Sequence, residues 1–211
     1  MGMDFSEKQI QIIETAEALF ADRGYDGISV RDIADEAGVN VAMISYYFGS
    51  KEKLMEAIFE LRLGTMQMRV ETLIKDDSMT PLQKMNLLID EHIDRVMHKQ
   101  CFHKVMYTVQ LTNKNPAILK AANALKLRSA KLVSELIKEG QKKGVFKKKV
   151  DVILMLNTMV GTVSSTMMSL PYYKEFNNQA DMPQEDFEAI VKRRLSIHIK
   201  SLFKAILTNE A

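Results

Sequence analysis

The chain has 211 residues, of which 46% are hydrophobic and 27% are charged, and its formal net charge is +2. This composition predicts an ordinary globular protein, because no run approaches the roughly 20 consecutive apolar residues that span a bilayer, and the small net charge does not by itself indicate a nucleic-acid partner. The single cysteine, Cys101, excludes an intramolecular disulfide, and the polar start of the chain lacks the apolar core of a secretory signal, so we predict a cytoplasmic protein.

Helix-forming residues fill nearly the whole chain, which contains only four prolines and nine glycines. No alternating β-branched run bounded by turn residues competes as a sheet. We therefore predict an all-α protein of about nine helices. The first begins at Ser6 and ends near Arg23. Its apolar stripe is Ile10, Ile13, Ala16, Leu19 and Phe20, and its outward acidic residues are Glu14, Glu17 and Asp22.

The segment from Ser29 to Lys51 contains the clearest helix-capping and turn signals in the chain. Ser29 caps a short helix, with Asp32 three residues later as its capping-box partner. Gly38 supplies the left-handed backbone conformation that ends this helix, and Asn40 can cap the next one. Two short helices joined by a tight turn are typical of a helix-turn-helix, whose second helix enters the major groove of DNA.

A longer helix follows without a flexible linker. Ser50 caps it, and its apolar periodicity continues to about Lys75. We therefore divide the chain into a helix-turn-helix domain at residues 1–49 and a second helical domain at residues 50–211, and the helix from Ser50 connects the two.

The run from Phe20 to Phe59, FADRGYDGISVRDIADEAGVNVAMISYYFGSKEKLMEAIF, closely resembles the N-terminal domain of the tetracycline-repressor (TetR) family of transcription regulators. The shared features are a first helix ending in F-x-x-x-G-Y, the capped R-D-I-A helix, the turn A-G-V and the block I-S-Y-Y-F-G-S-K-E-K-L. The resemblance covers roughly the first 60 residues. It implies a dimeric DNA-binding regulator whose second domain binds an effector and forms the dimer.

Carried over by position, the resemblance implies two sets of DNA contacts. The residues that read base edges would be Asn40, Val41, Ala42 and Ser45, with Tyr46 near them. The residues that contact phosphate would be Ser29, Arg31, Tyr47 and Lys51. Ile44 is expected in the core. The alternative for both tyrosines is that they close the three-helix core, and we favour Tyr47 as the phosphate contact and Tyr46 as partly structural.

The charge of this segment does not favour bulk attraction to DNA. Residues 1–50 contain nine acidic and three basic residues, which gives a formal charge of −6. DNA binding would then depend on a few side chains positioned to contact DNA and on the backbone N–H groups at helix N-termini. The second short helix also has no Arg or Gln among its first residues, so we expect sequence preference to come from methyl contacts and DNA shape.

Two apolar helices near the C-terminus predict a homodimer. Residues 150–170 form the most apolar helix, in which Gly161, Ser165 and Ser169 make a smooth strip. The last helix, residues 183–207, carries on one face Phe187, Val191, Leu195 and Leu202. In the resembled family the last two helices form a four-helix dimer bundle, which implies that these residues form the interface. The alternative is that both are ordinary core helices of a monomer.

Methionine and aromatic residues in the second domain predict a pocket for a small, largely apolar effector. The candidate lining residues are Met66, Phe102, Met106, Tyr107, Met159, Tyr172 and Phe176. For each methionine, core packing is the alternative.

We predict no metal or cofactor and no enzymatic activity. His98, Cys101 and His103, with Asp94 nearby, match no standard zinc spacing. The chain also contains no nucleophile elbow, phosphate-binding glycine loop or zinc-protease motif.

The sequence therefore predicts a ligand-responsive transcription regulator, more specifically a repressor. It would bind a palindromic operator in double-stranded DNA as a homodimer, without a membrane partner, and an apolar effector would release it. The alternative is a helical interaction or chromosome-organising protein that binds DNA with low specificity, and the acidic first domain is its main support.

Overall fold

The structure is a computed structural model that describes residues 5–98, 100–112 and 114–209, without the side chains of residues 98, 100 and 112. This part of the chain forms ten α-helices and no strand, so the predicted all-α fold is confirmed, with one helix more than expected. The helices are α1 Glu7–Arg23, α2 Val30–Glu36, α3 Val41–Phe48, α4 Lys51–Lys75, α5 Pro81–His98, α6 Gln100–Thr112, α7 Pro116–Lys142, α8 Val152–Met168, α9 Leu170–Phe176 and α10 Gln184–Leu207.

The additional helix arises where one helix was predicted to continue to residue 170. The chain bends by 77° between α8 and α9. Pro171 lies in the first turn of α9, where its missing N–H leaves no bond unsatisfied, whereas it could not have continued the hydrogen-bond ladder of α8. In the described part of the chain, no helix taken singly has the length and apolar character to cross a membrane, and only α8 and α9 counted together meet that test.

The helices form two compact units. The first consists of Met1–Arg69 and Gln100–Ser129, and in it α1 packs against α2 and α6, and α2 against α3. Large side chains buried in its core are Ile12, Ile13, Phe20, Ile28, Ile33, Ile44, Leu54 and Ile58. This core holds the helix-turn-helix segment in place.

The second unit consists of Val70–Lys99 and Ala130–Ala211. In it α5 packs against α8 and α10, and α8 also contacts α9 and α10. Its buried side chains include Ile89, Ile93, Val96, Leu136, Val163, Phe187, Val191, Ile199 and Phe203.

A buried ion pair joins α4 to α1, and it corrects the prediction that Glu17 faces outward. Glu17 is only 4% exposed. The Arg62 guanidinium donates from Nε to Oε2 of Glu17 at 2.8 Å and from Nη2 to Oε1 at 3.0 Å. The prediction was wrong because an acidic side chain in an apolar stripe can be buried when an arginine donates hydrogen bonds to both of its oxygens.

A second buried charge holds the C-terminal end of α4. Lys84 on α5 is fully buried, and its Nζ donates to the Ile74 carbonyl at 3.1 Å and to Oε1 of Glu139 on α7 at 2.9 Å. Lys143 donates to the same carboxylate oxygen at 2.7 Å. Although burial acts to raise it, the bonds from Lys143 and Lys84 hold the pKa of Glu139 below its usual value. Lys84 thus satisfies a carbonyl that the end of α4 would otherwise leave unpaired.

Replacing Arg62 with Met should destabilise the protein by about 3–5 kcal/mol, because the Glu17 carboxylate would stay buried without its partner. The measurement is urea unfolding at neutral pH and fixed protein concentration. The matched control is the double variant Glu17→Leu/Arg62→Met, which removes both charges and should recover most of the loss. Equal stability of the single variant and wild type would show that this pair does not hold α4 on α1.

Candidate nucleic-acid interface

A complete capping box begins α2, as the sequence predicted. The Ser29 hydroxyl donates to Oδ2 of Asp32 at 2.6 Å, and the Asp32 backbone N–H donates back to Ser29 Oγ at 3.2 Å. The Ser29 backbone N–H also donates to the carboxylate, at 2.7 Å. These bonds from Ser29 hold the pKa of Asp32 below its usual value. A phosphate contact made by the Ser29 hydroxyl as donor would have to replace its bond to Asp32.

The turn between α2 and α3 is held by both backbone and side-chain bonds. Gly38 has a φ of +62°, in the left-handed region where glycine carries no steric cost. Asn40 caps α3, since its Oδ1 accepts from the Ala42 N–H at 2.8 Å. From α1, the Gln11 amide donates to the Ala37 carbonyl at 3.0 Å, which ties the turn to the first helix.

One side of α3 is buried in the core and the other side is exposed to solvent. Ile44 is 1% exposed and lies in the core, where the sequence predicted it. On the other side are exposed residues that we call the recognition surface, namely Asn40, Val41, Ala42, Ser45 and Tyr46. The first four were expected at base edges and Tyr46 near them, and the structure brings all five together on one short helix and its cap.

The two tyrosines of α3 have different environments. Tyr46 is 83% exposed, so the expectation that it is partly structural is wrong. Its ring is free to lie in the solvent because the buried face of this short helix is already filled by Ile44. Tyr47 is half-buried, and the two ring centroids are 5.3 Å apart in an edge-on arrangement. Tyr47 thus helps to orient Tyr46 and stays a predicted phosphate contact.

The remaining predicted phosphate contacts differ in accessibility. Arg31 on α2 is exposed, whereas Lys51 at the start of α4 is half-buried. Lys51 Nζ donates to the Tyr25 carbonyl at 2.5 Å and lies 4.0 Å from the Tyr25 ring centroid and 5.7 Å from that of Phe20. Burial lowers the pKa of Lys51. Sequence reasoning missed these contacts, although Phe20 and Tyr25 are the aromatic positions of the F-x-x-x-G-Y motif.

The predicted effector-binding residues fall in both units. In the first unit Met66, Phe102 and Met106 are half-buried and Tyr107 is exposed, and the Phe102 ring lies 6.3 Å from that of Phe59. In the second unit Met159 is buried, whereas Tyr172 and Phe176 are exposed on α9 with their ring centroids 6.2 Å apart. Their common role in one pocket stays a prediction.

The predicted interface residues also divide into two groups. Gly161 and Ser165 are exposed on α8, and Ser169 and Leu202 are half-buried. Phe187, Val191 and Leu195 are buried within the second unit, where α10 packs against α5 and α8. Burial inside one protomer favours core packing for these three side chains. It leaves the opposite face of α10 available to a partner.

Among the described residues, no group of three or more His, Cys, Asp or Glu side chains is arranged to hold a metal ion. Cys101 and His103 are half-buried on α6, and the side chain of His98 lies outside the described part.

Two family models match the chain in succession. Residues 12–58 match the model described as "Bacterial regulatory proteins, tetR family". Residues 59–174 match the model described as "YsiA-like protein, C-terminal region". Together they cover every element of the interface and most of the second unit.

Known regulators are similar to the chain over most of its length. The fatty acid metabolism regulator protein of Bacillus subtilis is 27% identical over 76% of this chain and 81% of its own length. The transcriptional repressor KstR2 of Mycolicibacterium smegmatis is 26% identical over 80% of both chains. The fold also matches the crystal structure of Bacillus subtilis FadR in complex with stearoyl-CoA, with a TM-score of 0.66 and 24% identity over 91% of this chain and 97% of that one.

The family models, the relatives and the geometry of the recognition surface all indicate a DNA-binding regulator. The chain belongs to the TetR family of bacterial regulatory proteins and is a DNA-binding transcription regulator, of a kind that binds operator DNA as a dimer and responds to small-molecule effectors.

Proposed function

We propose that the chain is a repressor that reads a palindromic operator through the recognition surface of two protomers and is released by an acyl-coenzyme A effector. The observation that carries the DNA-binding part is the exposure of Asn40 to Ala42, Ser45 and Tyr46 on a helix whose Ile44 is buried. A helix held in this way can enter a major groove without losing its packing. Because bacterial DNA lies in the cytoplasm, this function implies a cytoplasmic protein.

The recognition surface offers mainly apolar contacts. Val41 and Ala42 are exposed and can touch thymine methyl groups. The Asn40 carbonyl oxygen caps the helix, which leaves its amide NH2 as a donor to base acceptors. With few strong base contacts in each half-site, useful affinity needs two protomers correctly spaced, at roughly one DNA turn.

The proposed dimer surface consists of exposed apolar side chains on α8, α9 and α10. Those on α8 and α9 are Leu154, Val160, Met168, Tyr172 and Phe176, which lie along the same helices as the exposed Gly161 and Ser165. Because Tyr172 and Phe176 are exposed, this role replaces the effector-pocket role that the sequence predicted for them. On α10 the corresponding side chain is Ile197, which is 63% exposed. It is two residues from buried Leu195 and points to the opposite side of the helix. A second copy of the chain would cover these side chains.

The proposed route of control runs along α4 and keeps the division into two domains at Ser50. Effector binding in the second domain would favour a packing in which α4 is displaced. The Arg62–Glu17 pair joins α4 to α1, so the recognition helix would move with α4. Two recognition helices then no longer match successive grooves, and DNA affinity falls by the difference in effector affinity between the two states.

An acyl-coenzyme A effector is supported by the relatives and by Arg95 on α5. One structural relative was solved with stearoyl-CoA. Arg95 lies eleven residues after buried Lys84, on the stripe of α5 that faces the interior of the second unit. It is half-buried, burial lowers its pKa, and the Glu91 carboxylate one turn earlier on α5 acts in the opposite direction. A buried guanidinium favours an anionic partner, and a phosphate or carboxylate of the effector fits that chemistry.

The rival function, low-specificity chromosome organisation, predicts a different DNA preference. If the proposal is correct, wild-type protein will select from genomic fragments a short palindrome at one or a few positions. Tyr46→Ala should lower affinity for the selected duplex about tenfold or more, because an exposed base-reading side chain is lost. The measurement is fluorescence anisotropy at fixed salt.

Ile44→Ala, on the buried side of the same helix, is the matched control. It should lower the unfolding free energy by about 2–5 kcal/mol, whereas Tyr46→Ala should leave it unchanged. Selection of scattered weak sites with no palindrome would contradict the repressor proposal.

Ile197→Glu should weaken the dimer about 100-fold or more, because two-fold symmetry would bury both new charges in one interface. Sedimentation velocity at micromolar concentration measures the effect. Leu127→Glu is the matched control, since Leu127 on α7 is 61% exposed and lies outside the proposed surface. If both variants stay dimeric, the α10 part of the surface is wrongly assigned.

Stearoyl-CoA should release the selected duplex, and Arg95→Met should raise the concentration needed about tenfold or more without changing DNA affinity in its absence. Titration of the labelled protein–DNA complex measures both quantities. Lys131→Met, which removes an exposed cation of α7, should respond like wild type. If stearoyl-CoA does not release the wild-type protein from the duplex, the proposed effector class is wrong. The operator selection result is unaffected in that case.

A further inference from the structure

The first unit contains more than the helix-turn-helix. Residues 100–129, which form α6 and the first half of α7, belong to it although the sequence places them in the second domain. α6 packs against α1. The start of α7 contacts the start of α4, where the Asn115 side-chain amide donates to Oε1 of Glu52 at 3.5 Å. Farther along, Arg128 of α7 pairs with Glu60 of α4. Two later helices are therefore part of the unit that carries the recognition surface.

The two segments of this unit differ in charge. Residues 1–69 contain twelve acidic and seven basic residues, which gives a formal charge of −5. Residues 100–129 contain five basic and no acidic residues, so the formal charge of the whole unit is zero. The five basic residues are Lys104, Lys114, Lys120, Lys126 and Arg128. The positive charge that the N-terminal segment lacks for DNA binding is therefore supplied by α6, α7 and the turn between them.

Lys114 lies in the turn between α6 and α7. It directly precedes Asn115, whose Oδ1 accepts from the Ala117 N–H at 3.0 Å and so caps α7. Asn115 also contacts Glu52, the residue that follows the predicted phosphate contact Lys51. Lys114 is thus adjacent in the chain to a residue that contacts the first turn of α4, and this turn comes directly after the recognition helix.

The Lys114 side chain is accessible to an anion outside the chain. It is exposed, and its ammonium is a point charge on a flexible four-carbon stem. The neighbouring Glu52 carboxylate is bonded to other groups, because its own backbone N–H and the Ser50 side chain hold its pKa below the usual value. A lysine of this kind can bond to a phosphate oxygen without the exact geometry that base reading requires.

We propose that Lys114 contacts a DNA phosphate from the α6–α7 turn, so that the DNA-binding surface of the first unit extends beyond the helix-turn-helix. DNA is the partner that fits, because the turn contacts the start of α4 beside the recognition helix, and the acidic N-terminal segment needs additional cations to hold a polyanion. The contact is independent of base sequence. This inference rests on the proposed DNA-binding function.

The test is the salt dependence of DNA binding by Lys114→Gln on the duplex selected by the wild-type protein. The slope of log affinity against log salt falls by about 0.9 for each lost phosphate contact, so a dimer that loses one contact in each protomer should lose about 1.8. Affinity at low salt should fall about fivefold or more. The melting temperature should equal that of wild type, because an exposed turn side chain is changed.

Two variants separate a phosphate contact from a general effect of charge. Lys138→Gln removes an exposed cation of the same helix in the second unit, and it should keep the wild-type slope. Lys114→Arg retains the positive charge in the turn, and it should also keep the wild-type slope. All variants are measured on the selected duplex and on a scrambled duplex of equal length, since a phosphate contact should contribute to both.

The proposal is overturned if Lys114→Gln keeps the wild-type slope on both duplexes, or if Lys138→Gln lowers the slope as much as Lys114→Gln does. Failure of the repressor proposal is distinguishable, because the wild-type protein would then prefer no palindrome. In that case the slopes on the scrambled duplex still decide the role of Lys114, since they require no sequence preference.

Discussion

The bidentate bond between Arg62 and Glu17 is the interaction on which the rest of the DNA-binding unit depends. The carboxylate is buried in the apolar stripe of α1, and both of its oxygens accept from one guanidinium on α4. A charge in that position is tolerated only when it is paired and hydrogen-bonded, so α1 and α4 are held at one relative position. Lys51 and Tyr25 hold the beginning of the same helix to the next turn.

This arrangement explains how α3, a short helix with few strong base-contacting side chains, can recognise DNA. Ile44 is the only buried residue of α3, and the Asn40 cap and the bond from Gln11 hold the turn before it. Position is therefore supplied by α1 and α4, while α3 supplies an exposed surface of small and apolar groups. Since the first 50 residues carry a formal charge of −6, accurate placement matters more than long-range attraction.

The second unit uses buried charge in a similar way. Lys84 pairs with Glu139 and caps the last turn of α4, so the helix that begins beside the recognition helix ends on a fixed polar contact. For Arg95, on the same stripe of α5, the neighbouring charge is the Glu91 carboxylate of its own helix. A lysine that bonds to two other helices is a structural contact, whereas an arginine whose charged neighbour lies on its own helix is a candidate ligand contact.

The sequence by itself determined the all-α class, the capping boxes, the turn at Gly38 and, apart from Tyr46, the residues that α3 exposes. These depend on interactions between residues close in the chain, such as Ser29 with Asp32 or Asn40 with the Ala42 N–H. Ile44 was also predictable, because helical periodicity identifies a buried face.

Only the tertiary structure decided which charged and aromatic side chains are inside. Glu17 and Lys84 are buried because partners 45 and 55 residues away reach them, and periodicity carries no information about such partners. For the same reason the apolar stripe of α10 belongs to the protomer core, since α5 and α8 cover it, and Lys51 is bound to Tyr25. The local pattern specifies a helix and its faces, whereas the contacts that each face makes depend on distant segments of the chain.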